Sequence, residues 1–211
     1  MSQAPRDNTI DDFWQMCFQY NVKVIIMLCK EEEDGTIKSS KYWDLSNSNY
    51  FQNVKTNEVF SDEIIILKEL EITRIKDNIK MIFSHLQFKK WPDHMAPDIQ
   101  NVVHNFEKIF TYLNENNKEN QVSIKHPIVI HCSAGIGRSG VFIALYLLYK
   151  EIMENILNKQ DVITFNIFNL VRKLKEMRRF SVENINQYNF IYLFINELLI
   201  EKNVPCNNQA K

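Results

Sequence analysis

The sequence predicts an α/β fold, and three observations carry the prediction. Pro127-Ile128-Val129-Ile130 is a short apolar run of β character, and residues 141–149 are continuously apolar and long enough for a buried helix, with a glycine-bearing loop between them. Further strand candidates, at 22–28 and 64–67, are interleaved with segments of helical apolar spacing. Finally, 211 residues with 45% apolar and 12% aromatic content suit one domain with a sizeable core.

Taken in chain order, Thr9 and Asp12 form a capping box, with aspartate in place of glutamate, ahead of a short helix. The run 22–28 reads as a strand, and Glu31-Glu32-Glu33-Asp34-Gly35 as the turn between two strands. A strand follows at 64–67. Val102, Phe106, Ile109, Phe110 and Leu113 give 101–113 the spacing of an amphipathic helix, and the polar stretch 114–125 reads as a surface loop. After the strand at 127–130 and the helix at 141–149, residues 165–177 and 185–200 make two more helices. No internal repeat or Gly/Ser linker divides the chain, so 1–202 is expected to be one domain and 203–211 a frayed tail.

The loop His131-Cys132-Ser133-Ala134-Gly135-Ile136-Gly137-Arg138-Ser139-Gly140 carries the chemistry. A loop between a strand and a helix N-terminus is a ready anion site, because unpaired N–H groups point into it. The same field, with Arg138 added, favours thiolate over thiol and makes Cys132 nucleophilic at neutral pH. Gly135 and Gly137 let the amides of Ser133, Ala134, Gly135, Ile136 and Gly137 turn inward. Arg138 offers a planar fork that matches two phosphate oxygens. Ser139 has a hydroxyl to donate to the sulfur, and His131 is expected to position the loop by hydrogen bonds. Five fixed positions at ~1/20 each arise by chance in roughly one of ten thousand chains of this length.

With these residues the chain resembles the tyrosine-specific, cysteine-dependent protein tyrosine phosphatases. Trp91-Pro92-Asp93 resembles the family's mobile acid loop, 39 residues (132 − 93) before the cysteine. Asn8-Thr9-Ile10-Asp11-Asp12-Phe13-Trp14-Gln15-Met16 resembles its N-T-x-x-D-F-W-x-M helix. Lys38 with Tyr42-Trp43 resembles its K-C-x-x-Y-W segment, with Ser39 in place of cysteine, and Gln187-Tyr188-Asn189-Phe190-Ile191-Tyr192 its Q-Y-x-F-x-Y helix. The resemblance runs from about residue 2 to about residue 200. It implies a twisted mixed β-sheet flanked by helices. It also implies hydrolysis of phosphotyrosine in proteins through a cysteinyl-phosphate intermediate, without metal or cofactor. Asparagine, isoleucine and lysine are abundant, as in an AT-rich genome, and short phosphatases of this look occur in viruses carried by parasitoid wasps.

The resemblance implies a role for each matching residue. Cys132 attacks phosphorus, and Arg138 with the loop amides holds the equatorial oxygens. Asp93 protonates the leaving phenolate and then acts as base on the hydrolytic water, while Trp91 and Pro92 stiffen the flap. Glu33 matches an acid that orients Arg138, with a solvated hairpin charge as the alternative. Lys38 matches a contact to the acid loop. Arg178 precedes the glutamine loop, with a helix-end cation as the alternative.

Three departures stand out. Val182-Glu183-Asn184-Ile185-Asn186-Gln187-Tyr188-Asn189-Phe190 matches V-Q-T-x-x-Q-Y-x-F, but Glu183 replaces the first glutamine, which orients the water. A carboxylate accepts hydrogen bonds and cannot donate them as an amide does, and it adds negative charge beside a phosphorylated cysteine. Slowed hydrolysis of the intermediate is expected, with partial compensation by Gln187. Met95 replaces a glycine in the acid loop. The third departure is at the beginning: Met1-Ser2-Gln3-Ala4-Pro5 matches A-S-Q-G-P, well inside the family domain, so the resemblance implies an N-terminally truncated domain lacking the aromatic K-N-R-Y recognition loop. Apolar surface is expected where that part would pack. A phosphotyrosine-binding pseudophosphatase and a dual-specificity phosphatase with a shallow pocket are therefore the alternative functions.

A net charge of −1 gives no reason to expect nucleic acid or anionic membrane as partners. Arg172, Lys173, Lys175, Arg178 and Arg179 read as a solvated helix face, or else as a dock for acidic peptide. Cys17, Cys29, Cys132 and Cys206 show no paired framework; Cys17 and Cys29 read as core. A nucleophilic thiolate needs a reducing compartment, which points to the cytoplasm, and Cys132 is open to reversible oxidation. His85, His94, His104 and His126 do not fall into metal-ligand spacing and read as surface or hydrogen-bonded histidines. The polar start, 1–8, is no signal peptide, and no apolar run reaches membrane-spanning length. Nothing in the sequence sets an oligomeric state.

Overall fold

The computed structural model describes residues 1–91, 99–116, 126–159 and 163–204. Asp93, His94, Met95 and Cys206 lie outside the described residues, as do 117–125 of the expected polar loop and most of the expected tail. Within these bounds the fold is α/β. A five-stranded sheet runs in the order β4-β5-β6-β1-β7, where β1 is Val24–Met27, β4 Phe51–Ser61, β5 Ile65–Arg74, β6 Ile79–Phe88 and β7 Ile128–His131. The β4, β5 and β6 strands pair antiparallel, whereas β1 is parallel to both β6 and β7, so the sheet is mixed. A two-stranded hairpin, β2 (Glu32–Glu33) and β3 (Thr36–Ile37), stands apart; Asp34 and Gly35 turn it with φ of 49° and 71°.

Each face of the sheet buries its own core. On one face lies α1 (Ile10–Gln19), whose Phe13, Trp14, Cys17 and Phe18 form a single apolar stripe. The indole N–H of Trp14 donates to the Tyr42 carbonyl at 2.7 Å, and Phe51, Leu70, Ile72 and Phe83 complete this layer. The helix stops where Asn21 turns left-handed, φ 50°. The expected capping box is corrected here. The Thr9 hydroxyl accepts the Arg6 N–H at 2.9 Å, closing a 3-10 turn over Asp7–Thr9, and makes no side-chain cap on α1.

The other face carries α2 (Ile99–Asn116), α3 (Gly137–Leu157), α4 (Ile167–Met177) and α5 (Ile185–Glu201). Phe106, Phe110, Phe142, Phe190 and Phe194 pack there with almost no exposure. Eleven of the sixteen residues of α3 from Gly137 to Ile152 are buried, and over 137–145 all but Ile143 are, which is why this half of the helix is apolar all round rather than amphipathic. Asn166 and Asn184 cap α4 and α5, accepting the backbone N–H of Asn169 and Gln187, each at 2.9 Å. Helix α2 runs on through Asn116, past the expected boundary at 113. Val204 folds back against the core, its N–H on the Leu199 carbonyl at 2.9 Å. Apolar side chains remain exposed along α4, in the loop after it and at the start of α5, at Phe168, Met177, Phe180 and Ile185.

Candidate active site

The parallel pair β1 and β7 aims the loop 131–137 at the N-terminus of α3. Met27 and His131 are register partners, and the Leu28 N–H donates to the His131 carbonyl at 2.8 Å. On its free side the loop is held by the chain start: the Ser2 N–H donates to Ile130 O and the Ala4 N–H to Ser133 O, both at 2.9 Å. Gly135 has φ +70°, and a methyl there would collide with the Ser2 carbonyl. A sharp, left-handed, closely packed bend therefore fixes the cradle above Cys132, which is 4% exposed.

Arg138 lies in the first turn of α3 and is 1% exposed. Its Nη1 and Nη2 donate to Glu33 Oε1 and Oε2 at 2.7 and 3.0 Å, a fork-on-fork pair, and Nη1 also donates to the Trp91 carbonyl at 2.9 Å. Glu33 Oε1 accepts the Lys30 N–H at 3.0 Å as well. One guanidinium thus ties the hairpin and Trp91, just past β6, to the cradle. Glu33 is a partner of the arginine rather than a solvated hairpin charge. Trp91 is itself set among Phe88, Phe106 and Phe190, with ring centroids at 5.9, 5.4 and 6.2 Å. Lys38 sits at the base of the same hairpin, its N–H on the Glu31 carbonyl at 2.8 Å.

Behind Cys132 runs a buried polar chain. The Tyr42 hydroxyl lies 2.9 Å from His131 Nε2 and 2.7 Å from His85 Nε2, while His131 Nδ1 is 3.1 Å from the Cys132 carbonyl. That last contact requires Nδ1–H, so His131 Nε2 accepts from the tyrosine, and Tyr42 in turn accepts from His85 Nε2–H. Both imidazoles are fully buried and neutral. Burial first, then the charge of His131, pulls His85 down to about 3; burial, with a smaller push from Arg138, takes His131 to about 4. Burial also raises the Tyr42 hydroxyl well above its usual range and the Cys17 thiol to about 12, and it lifts Cys29 too, consistent with core thiols. Of the other histidines, His104 is exposed and His126 Nδ1 lies 3.1 Å from Asn21 Nδ2.

On the other side of the cradle, Glu183 and Gln187 press on Gly137. A Cβ there would lie 2.8 Å from Gln187 Nε2 and 3.0 Å from Glu183 Oε2. Gln187 Oε1 accepts the Glu183 N–H at 2.8 Å, so the amide turns its NH2 donors toward the cradle. Ser139 is wholly buried, and its hydroxyl has no hydrogen-bond partner among the described residues, Cys132 Sγ included. The basic cluster is not simply solvated. Lys175 Nζ donates to the Val182 carbonyl at 2.8 Å, tying the 178–183 loop to α4, and Arg178 Nη2 donates to Ala134 O at 3.3 Å, tying it to the cradle, whereas Arg172 and Lys173 face solvent.

His85, read from sequence as a surface or hydrogen-bonded histidine, is the hydrogen-bonded kind and fully buried; the Ser2 and Ala4 backbone and the holding roles of Tyr42 and Lys175 were not legible. A lone histidine or lysine in a strand or helix pattern carries no local sign of a tertiary partner. Among the described residues no group of three or more His, Cys, Asp or Glu is placed to hold a metal, and no helix is long and apolar enough to cross a membrane.

A strand-loop-helix cradle with a cysteine at its floor and a clamped arginine at its wall defines a thiol-based phosphate-binding loop. The protein-tyrosine phosphatase family profile matches residues 1–197, and the chain belongs to that family. It is 33% identical to tyrosine-protein phosphatase 2 of Dictyostelium discoideum over 94% of its own length and 51% of that protein's. To human tyrosine-protein phosphatase non-receptor type 20 it is 32% identical, over 94% and 44%. The chain therefore spans about half the length of these curated relatives. A crystal structure of the catalytic domain of human protein tyrosine phosphatase non-receptor type 18 superposes with a TM-score of 0.72 at 27% identity, over 93% of this chain and 67% of that one. The same phosphatase in complex with HER2-pY1196 phosphopeptides gives 0.74 at 26%, over 94% and 66%.

Proposed function

We propose that this chain hydrolyses phosphotyrosine in proteins by way of a cysteinyl-phosphate, in a reducing, cytoplasmic setting, with residues 1–202 as the catalytic unit. The observation that carries the reading is the buried Arg138–Glu33 fork beside Cys132 at a helix N-terminus. The thiolate attacks phosphorus, the bond from phosphorus to the phenolic oxygen breaks, and Asp93 gives that oxygen its proton. Arg138, with the amides of Ser133, Ala134, Gly135, Ile136 and Gly137, holds the equatorial oxygens, where loose transition states need charge stabilisation most. Water then attacks phosphorus, Asp93 takes its proton, the P–S bond breaks, and thiolate and phosphate separate. Gln187 donates toward the cradle, and the Ser139 hydroxyl, which has no hydrogen-bond partner among the described residues, would turn to the sulfur as the P–S bond breaks.

Phosphotyrosine proteins as partners are supported by the relatives, of which non-receptor type 18 is solved with HER2 phosphopeptides. The composition supports a source with an AT-rich genome, such as a virus carried by a parasitoid wasp. Steady-state and burst kinetics on a small aryl phosphate, with Cys132→Ser as blank, test the reading: turnover above blank is expected. A second reading, capture of phosphotyrosine with poor turnover, is favoured by Glu183 against Gly137. No turnover with phosphopeptide binding retained would establish it in place of the first.

A further inference from the structure

A cleft lies away from the cradle, on the face of the sheet that carries α1. It has a volume of about 630 Å³ and opens between the turn after Tyr42 and the start of β4, with Lys41, Trp43, Asp44, Asn53 and Lys68 among its walls. That volume is in the range of small-ligand sites. Its charge is one-sided. Lys41, Lys55 and Lys68 all line it, and none of them has a carboxylate within ion-pair distance among the described residues. Lys68 is half-buried and stands opposite Glu58 in the β4–β5 ladder, yet its ammonium turns inward, 5.0 Å over the centroid of the Trp43 ring. Trp43 is only 5% exposed, so the cation rests on a rigid floor. Asp44, the one acid in the lining, is engaged by the Ser46 N–H at 3.3 Å.

The cleft also holds an acceptor with nothing to accept. A register shift between Asn53 and Lys55 lifts β4 off its partner. Asn53 Nδ2 donates to the Trp43 carbonyl at 2.7 Å and to Thr56 Oγ1 at 2.9 Å, which fixes the amide and leaves its Oδ1 buried without a hydrogen-bond partner among the described residues. Three cations without counter-ions next to an unsatisfied acceptor describe an anion that carries a donor beside its charge.

We propose that this cleft binds a phosphate ester with an adjacent O–H or N–H donor, the phosphate on Lys41 and Lys68 and the donor on Asn53 Oδ1. A small phosphorylated alcohol and a phosphoserine side chain with its backbone N–H both have that chemistry. The test uses the whole chain with its cradle saturated by orthovanadate, so that the catalytic loop cannot report. The three tryptophan indole N–H resonances are followed by NMR during titration with glycerol 3-phosphate and, separately, with a phosphoserine hexapeptide. A saturable shift of the Trp43 resonance is expected with at least one probe, and the probe that produces it identifies the source. Lys41→Met with Lys68→Met should weaken that binding at least about tenfold while the thermal midpoint and the Trp14 resonance stay in place. No shift with either probe up to about 10 mM, or equal affinity in the double variant, overturns the proposal. Should the double variant unfold, Asn53→Ser and Lys68→Met are examined singly by the same titration, and unchanged affinity in both overturns it equally.

Discussion

Arg138 shows how much of the site rests on single side chains. Its guanidinium is buried and paired with Glu33, so removing the carboxylate takes a charge-assisted fork away from a buried cation. Glu33→Gln is expected to cost about 3 kcal/mol in denaturant titration and to lower kcat/KM on an aryl phosphate by about 10- to 100-fold, because the fork loses its aim. A loss of stability without a loss of rate would mean that Glu33 only neutralises and does not orient. Glu183 has the opposite sign. Its carboxylate sits against Gly137, where a phosphorylated cysteine would place more negative charge. Glu183→Gln is expected to speed breakdown of the phosphoenzyme severalfold, seen as a smaller burst and a higher kcat in single- and multiple-turnover kinetics. An unchanged second step would remove the physical case for a slow enzyme.

Among the elements, β7, the loop and α3 were legible in the sequence because their signals are local: an apolar strand, glycines, and a helix too apolar to be exposed. The long hairpin strands were not. Along β4 only Phe51 is buried and nearly every other position faces solvent, so Phe51–Ser61 shows no alternation to read. The bulges between Asn53 and Lys55 and between Glu58 and Phe60 break what period there is. Strand β5 extends the 64–67 run to Arg74 because Leu70 and Ile72 pack under α1, a partner unknown from sequence. Thr9 looked like a cap because Asp12 follows at the right spacing, but the Arg6 N–H competes for the same hydroxyl and wins. Glu33 could be matched to Arg138 only by family resemblance, since 105 residues separate them. The loop's sharpest test is also at this scale. Gly135→Ala puts a methyl on the Ser2 carbonyl at a φ that L residues rarely adopt, so the cradle or the Ser2–Ala4 segment must move. A loss of about 2 kcal/mol or more in denaturant titration is expected, with activity falling further than stability. Wild-type stability in this variant would show that the segment does not pin the loop.

At the scale of the whole molecule, the two cores meet through the sheet at the His85–Tyr42–His131 chain. His85 belongs to β6 and His131 to β7, with β1 between them, and the tyrosine hydroxyl bridges the two from the α1 side. This makes the fold acid-labile in a defined way. Both imidazoles are neutral in the folded chain, with values of about 3 and about 4 against an ordinary 6.5. Between those values and 6.5 the unfolded chain binds protons that the folded chain does not, so stability rises with pH across this window. It is fully present above about pH 6.5 and is lost as pH falls toward the folded values. For His131 alone the loss by pH 4 is on the order of 3 kcal/mol, a large share of the stability of a domain of this size. Urea titrations from pH 7.5 to 4 should therefore show the folding free energy dropping steeply below pH 6.5. His85→Gln retains a donor for the Tyr42 oxygen but cannot titrate, and it should lower stability at pH 7.5 while flattening the slope between pH 6 and 4.5. If the variant kept the wild-type slope, or the wild type held its stability to pH 4, the buried histidines would not be the groups that couple this fold to acid.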